Sequence, residues 1–300
     1  MPRQSSAGHA NKTTRYSYKV AGISFAVTSD DPALNLRPDQ TVLPFVENID
    51  NPDIHIKARR EDLVVENRGN LLFDSGSLWK LYQANGSRVF WFHSPSLGTK
   101  PYKMASFTKD FKRGEVFLDR SYFAPNRPAD PLEYPLDELI MVNLLARGRG
   151  AEIHSFGVVD DRGQGHLFVG QSGAGKSTMA RIWDSKNVGR LLSDDRIILR
   201  RIDDTVWMYG TPWHGEAGYA SSERAPLKNI YFLRQWEKNE LVPLQPAETV
   251  GRLFGCSFPP FHDRKGLKFT IDFLEDIARS ITCAEFRFVP DESALDILRI

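Results

Sequence analysis

Residues 170–178 read GQSGAGKST. Gly170, then Gln171, Ser172, Gly173 and Ala174, then Gly175, Lys176 and Ser177 satisfy the pattern G-x-x-x-x-G-K-[ST], with Thr178 following. That pattern carries chemistry only when a strand precedes it and a helix follows. Both are predicted here. HLFVG (166–170) is a short apolar run, and KSTMARIWDSK (176–186) places Met179, Ile182 and Trp183 on one helical face. Glycines let backbone N–H groups turn inward around an anion, and the start of a helix adds the positive end of its dipole. Lys176 can reach the β and γ phosphates, and Ser177 offers a hydroxyl to Mg²⁺. A glycine-rich turn matching by chance is the plain alternative. The coincidence of loop, lysine, serine, strand and helix argues instead for a bound nucleotide, ATP or GTP, with Mg²⁺ as cofactor.

Moving outward, LLSDDR (191–196) puts Asp194 and Asp195 at the end of the strand after the loop helix. Acidic residues there are placed to meet the metal held by Ser177 or to take a proton from an incoming hydroxyl. Asp pairs also close strands and open turns for purely structural reasons. No LSGGQ-like signature and no NKxD occurs, which argues against ABC-type ATPases and GTP-binding switch proteins.

Charge and composition narrow the partners. With 39 Lys+Arg against 38 Asp+Glu, no global field draws the chain to nucleic acid or anionic lipid. Cys256 and Cys283 are too few and too isolated for a disulfide framework or a cysteine metal site. No apolar run is long enough to span a membrane and no leader is evident, so the expected setting is cytoplasmic, with neither membrane nor nucleic acid as partner.

The 300 residues are expected to form two unequal parts after a disordered tail at 1–15. From 16 to 130, stretches such as DIHIKAR, RVFWFHS and GEVFLDRS alternate at period two between Gly, Pro, Asn and Asp turns, predicting antiparallel strands. Residues 131–300 hold the loop. They open with a helix on Leu136, Leu139, Ile140 and Leu144 and continue with strands AEIHSFGVVD, RIILRRID, VWMYGTP and LKNIYFLRQ. A helix PAETVGRLFG follows, then one striped by Ile271, Leu274, Ile277 and Ile281, a last strand AEFRFVP and a terminal helix ESALDILRI. The fold class is α/β with an α+β tendency: a phosphate-loop core with a mixed sheet, preceded by a β-rich N-terminal unit.

Taken together, EIHSFGVV, GHLFVGQSGAGKSTMARIW, LLSDDRIIL and YGTPWHGE resemble the HPr kinase/phosphorylase-like kinases, whose nucleotide core is similar to that of phosphoenolpyruvate carboxykinase. The resemblance covers roughly residues 135 to 300. It implies an ATP·Mg²⁺ donor and phosphoryl transfer to a serine hydroxyl. On it, Gly170 to Thr178 bind the triphosphate, Asp194 and Asp195 divide metal binding and general-base work, and His154 sits near the phosphates. Thr178 stands where HPr kinases proper carry an acidic residue, and MYGTPWHGEAG replaces their Glu-x-Arg-Gly signature. The N-terminal half does not resemble their regulatory half. Those departures point away from HPr itself, toward the hydroxyl of another protein, a peptide or a small molecule. A homo-oligomer is left open.

Outside the resemblance, His154 reads first as a histidine satisfied between strands and only second as one that orients a phosphate. His214 and Glu216 lie on a Gly- and Pro-marked loop where acceptor-side residues are often displayed, though a polar loop anchored by Trp213 reads the same. Arg224 is a candidate to steady transferred charge, while Arg264, Lys265 and Lys268 fit a solvated basic face. The rival to a kinase is a nucleotide-binding sensor or scaffold that transfers nothing.

Overall fold

Strand-forming residues dominate the first half of the chain, and most of them pair into one sheet. The computed structural model describes residues 13–64, 69–98, 100–186 and 188–298. Two compact units divide near Glu133 and Tyr134, with Lys19–Ile23 and Gln40–Val46 counted in the second. The tail expected over 1–15 lies outside the described residues as far as 12, and a strand already begins at Thr14.

The first unit contains β1 (Thr14–Val20), β2 (Ile23–Ser29), β3 (Asn35–Leu36), β4 (Ile54–Glu61), β5 (Asn70–Asp74), β6 (Trp79–Ala84), β7 (Ser87–Phe92), β8 (Lys103–Phe107), β9 (Arg113–Asp119) and β10 (Pro128–Ala129). Eight of them form a sheet in the order β1-β2-β4-β9-β8-β7-β6-β5. From β5 to β9 the pairing is antiparallel, as the short turns predict. The pairs β2–β4 and β4–β9 are parallel, which corrects the wholly antiparallel expectation. Alternation tells which face of a strand is buried, not its direction, and long connections leave room for a crossover. Phe90, Phe92, Phe107 and Phe111 fill this unit's interior.

The second unit runs α1 (Leu136–Leu145), β11 (Ala151–Val159), β12 (Gly165–Val169), α2 (Lys176–Lys186), β13 (Arg190–Ser193), β14 (Arg196–Ile202), β15 (Thr205–Tyr209), β16 (Arg224–Gln235), β17 (Glu240–Pro243), α3 (Pro246–Gly255), α4 (Arg264–Ser280) and β18 (Thr282–Phe288). Its mixed sheet has the order β12-β11-β14-β15-β16-β18-β17, with β13 also on β11 and β12 also beside β16. Large mixed sheets with few helices make this a mixed α/β protein. Two strands take more than two partners. Along one edge β11 pairs with β14 through Ala151–His154 and then with β13 from Gly157, and on its other edge it pairs with β12 from Ser155 onward. β16 pairs with β15 at Arg224–Pro226, then runs parallel to β12 and β18. Gly157, opposite Ser193 of β13, leaves room for the Ile197 side chain, since an added Cβ would lie 2.8 Å from Ile197 Cδ1.

Period two then assigns side chains to two cores. Leu167, Val169, Ile230 and Phe232 join Leu253, Leu274 and Ile277 of α3 and α4. Phe168, Tyr231 and Leu233 join Met179 and Trp183 of α2. Both faces being covered, these strands read as continuous apolar runs. Helix α4 is capped by Asp263, which accepts from the Lys265 and Gly266 amides. Its buried stripe uses Thr270, Phe273, Leu274 and Ile277; Ile271, expected in the stripe, is exposed. The expected terminal helix is a single 3₁₀ turn, Glu292–Leu295, as far as the described residues extend. Strand β17, with four residues, was too short to stand out in the sequence.

Candidate functional site

The step between β13 and β14, both paired to one edge of β11, sets the site. His154, opposite Arg196, is the last β11 residue paired with β14. The next residue, Ser155, donates its N–H to the Asp195 carbonyl at 3.0 Å. The two side chains therefore meet, with His154 Nε2 2.9 Å from Asp195 Oδ1. The Arg196 guanidinium bonds the second carboxylate oxygen, Oδ2. Burial works to raise the Asp195 carboxyl, but the His154 hydrogen bond and the charge of Arg196 outweigh it and hold the group below the usual carboxylate range. Asp195 is thus an ionised acceptor at neutral pH.

Asp194 is engaged differently. It is buried, and its Oδ1 and Oδ2 accept the Gly215 and Ala217 amides at 2.9 and 2.8 Å. These bonds pin the turn at 211–217 to the strand end. Trp213, in the same turn, is buried and donates its indole N–H to Asp137 Oδ2 at 2.7 Å.

Between β12 and α2 the chain makes the glycine loop. Gly173 and Gly175 have φ of 84° and 97°, a left-handed region that other residues rarely adopt. Lys176, the first residue of α2, donates from Nζ to the carbonyls of Gly170 at 2.8 Å and Gln171 at 3.3 Å. Ala174 donates its amide to Gln171 as well. Burial pulls the Lys176 ammonium down, while the Asp195 charge opposes that pull. A cleft of about 440 Å³ opens here, lined by His154, Ser172, Gly173, Gly175, Lys176, Ser177, Thr178, Asp194, Asp195, Gly215, Glu216 and Gln235.

The candidates from the sequence are thereby sorted. His154, Asp194, Asp195, Lys176, Ser177, Thr178 and Glu216 border one cleft. Gly170, Gln171 and Ala174 belong to the loop behind it. His214 is exposed and bonds its neighbour's carbonyl, at Gly215. Arg224 does not border the cleft; it lies over the Trp207 ring at 4.2 Å and donates to Tyr209 Oη. Gln235, at the end of β16, was not singled out beforehand, since only the parallel β12–β16 pairing carries it to the loop.

Carboxylates behind the site also escaped notice. Arg196 Nε donates to Glu138 Oε1 at 2.8 Å and lies 3.4 Å from Glu152 Oε1, and its guanidinium covers the Phe258 ring at 4.2 Å. Glu152 is buried, and neither of its oxygens has a hydrogen-bond partner among the described residues. Burial, then the neighbouring Glu138 charge, pushes its carboxyl well above the usual range.

Among the described residues, no three His, Cys, Asp or Glu gather into a metal site of their own. No helix among them is long and apolar enough to cross a membrane. No protein-family model matches the chain. No curated protein is significantly similar to it. Among solved structures, the Hpr(Ser) kinase/phosphatase from Coxiella burnetii matches at 12% identity over 49% of this chain and 90% of that one, with a TM-score of 0.28. So low a score marks a distant likeness.

Proposed function

We propose that the second unit is a kinase, moving the γ-phosphoryl of ATP or GTP to a hydroxyl of a peptide, protein or small molecule, with serine the favoured acceptor. One observation carries this reading. A glycine loop ending in Lys176 and an ionised Asp195 paired with His154 border the same cleft. Amide-rich loops at helix starts bind phosphate, and a carboxylate facing them can take the acceptor's proton.

The donor set suits Mg²⁺. This hard cation takes oxygen ligands, one or two carboxylates together with phosphates and water, and needs no dedicated protein cage. Ser177 and Asp194 are the residues proposed to hold it, each Asp194 oxygen keeping a second lone pair beyond its backbone bond. When bound, Mg²⁺ would neutralise charge on the transferred group.

The protein's own residues do the rest. Loop amides and Lys176 hold the triphosphate, which requires Lys176 Nζ to exchange loop carbonyls for phosphate oxygens. Asp195 accepts the proton of the acceptor hydroxyl, its lone pairs aimed by His154 and Arg196. Thr178 and Glu216 border the route by which an acceptor would enter. Little covalent chemistry falls to the enzyme, because positioning and electrostatics dominate phosphoryl transfer.

The test is transfer of label from γ-labelled ATP with Mg²⁺ into a pool of serine-containing peptides and small metabolites. Label on a discrete acceptor, absent with Lys176→Ala, supports the kinase. Tight nucleotide binding with no labelled product would replace it by a nucleotide-binding sensor.

A further inference from the structure

Helix α1 carries two adjacent carboxylates that its apolar pattern does not explain. Asp137 and Glu138 are 5% and 7% exposed. Buried carboxylates are costly unless a specific partner holds them, and each has a different one. Asp137 takes the Trp213 indole N–H at 2.7 Å, within the turn whose Gly215 and Ala217 amides hold Asp194. Glu138 takes Arg196 Nε at 2.8 Å, and Arg196 holds Asp195. Consecutive residues of α1 thus reach consecutive aspartates of the cleft, Asp137 through the turn from Trp213 to Ala217 and Glu138 through Arg196.

We propose that Asp137 and Glu138 are positioning residues, Asp137 fixing Asp194 through Trp213 and Glu138 fixing Asp195 through Arg196. The proposal deepens the kinase reading and rests on it. Neither carboxylate lines the cleft, so neither touches nucleotide or acceptor. The Arg196 branch is rigid on several sides. Its guanidinium lies on Phe258, whose amide donates to the Glu152 carbonyl at 3.2 Å, and the Cys256 carbonyl accepts from the His154 amide at 2.7 Å. The segment bearing Phe258 is therefore stitched to β11 beside the site. The Asp137 branch is closed further by Thr211, whose hydroxyl donates to the Arg196 carbonyl at 2.7 Å.

Glu138→Gln is the informative change. The amide keeps the shape and an oxygen for Arg196 Nε, and the ionised Asp195 remains as the guanidinium's counter-charge, so the protein should fold. Its kcat should fall about tenfold to a hundredfold, with KM for ATP within about twofold, as expected when a reacting group is misplaced but substrate contacts persist. Asp137→Asn, which keeps an oxygen for Trp213, should lose less than Asp137→Leu. Two mutations in one branch should be less than additive: Glu138→Gln with Asp195→Asn, and Asp137→Leu with Asp194→Asn. Pairs taken across branches should come closer to adding, although the Thr211 bond to Arg196 links them.

A second readout does not need turnover. Binding of a fluorescent ATP analogue is measured with and without Mg²⁺, and the gain due to Mg²⁺ should shrink in Asp137→Leu while binding without Mg²⁺ stays. Wild-type protein that gains nucleotide affinity from Mg²⁺ but transfers no label would sink the kinase reading, yet a gain lost in Asp137→Leu would still support the Asp194 branch. If Asp137→Leu keeps the full gain and Glu138→Gln keeps full kcat, the proposal is overturned. Losses that fall equally on kcat, KM and metal-free binding also overturn it, since they would mark general structural damage. A wild type that binds no nucleotide overturns both.

Discussion

His154 Nε2 lies 2.9 Å from Asp195 Oδ1, at the step between β13 and β14 along one edge of β11. The pair exists because both strands keep to that edge, which sets Asp195 beside Ser155 and next to His154. Replacing His154 by Phe keeps a ring beside Phe258 but removes the partner of Asp195. Transfer should drop about tenfold to a hundredfold while nucleotide affinity changes little, as steady-state kinetics beside equilibrium binding would reveal. Equal loss of binding and transfer would assign His154 to the nucleotide instead.

Lys176→Ala should abolish transfer and weaken ATP binding by at least about tenfold, because no other side chain of the loop carries a positive charge. The fold should survive, since the lost bonds run to carbonyls of the loop itself. Calorimetry and circular dichroism on one preparation check both statements.

Gly175→Ala should damage both fold and function. The φ of 97° is unsuited to alanine, and its Cβ would lie 2.7 Å from Phe288 Cζ. A cost of about 1–3 kcal/mol in denaturant unfolding is expected, together with loss of nucleotide binding. The neighbouring Gly173, whose added Cβ would meet nothing within 4 Å, should tolerate alanine with the smaller strain of its φ alone.

Glu152 makes stability depend on pH in a defined direction. Its folded carboxyl is raised, so between the ordinary glutamate value and the higher folded value the native state binds more protons than the unfolded chain. Stability contributed by the protonated form is therefore lost as pH rises through that window. Glu152→Gln cannot titrate and should flatten the fall, so the mutant gains on wild type as pH rises above the ordinary glutamate range in chemical denaturation. An unchanged slope would mean that Glu152 is ionised in both states.

Much of the phosphate loop was legible because its residue types answer to local backbone demands, and the strand before it and helix after it are local too. Asp194 and Asp195 stood out for the same reason. What stayed hidden depends on pairing between distant segments. Gln235 reaches the cleft at the far end of a strand parallel to β12, and Arg224 lies away from it because it starts that same strand, beside β15. Asp137 and Glu138 sat in an apolar helix where acidic residues ordinarily face solvent, and nothing in the spacing told that α1 is buried nearly all round. In the first unit, alternation marked the strands but not the parallel direction of β2, β4 and β9.

The most direct measurement is transfer of label from γ-labelled ATP by wild type and Asp195→Asn, with ATP affinity measured alongside. The account predicts label on a hydroxyl-bearing acceptor for wild type, loss of about a hundredfold or more in the mutant, and similar ATP affinity in both. Undiminished transfer by Asp195→Asn, or firm ATP binding by wild type with no label moved, would contradict it.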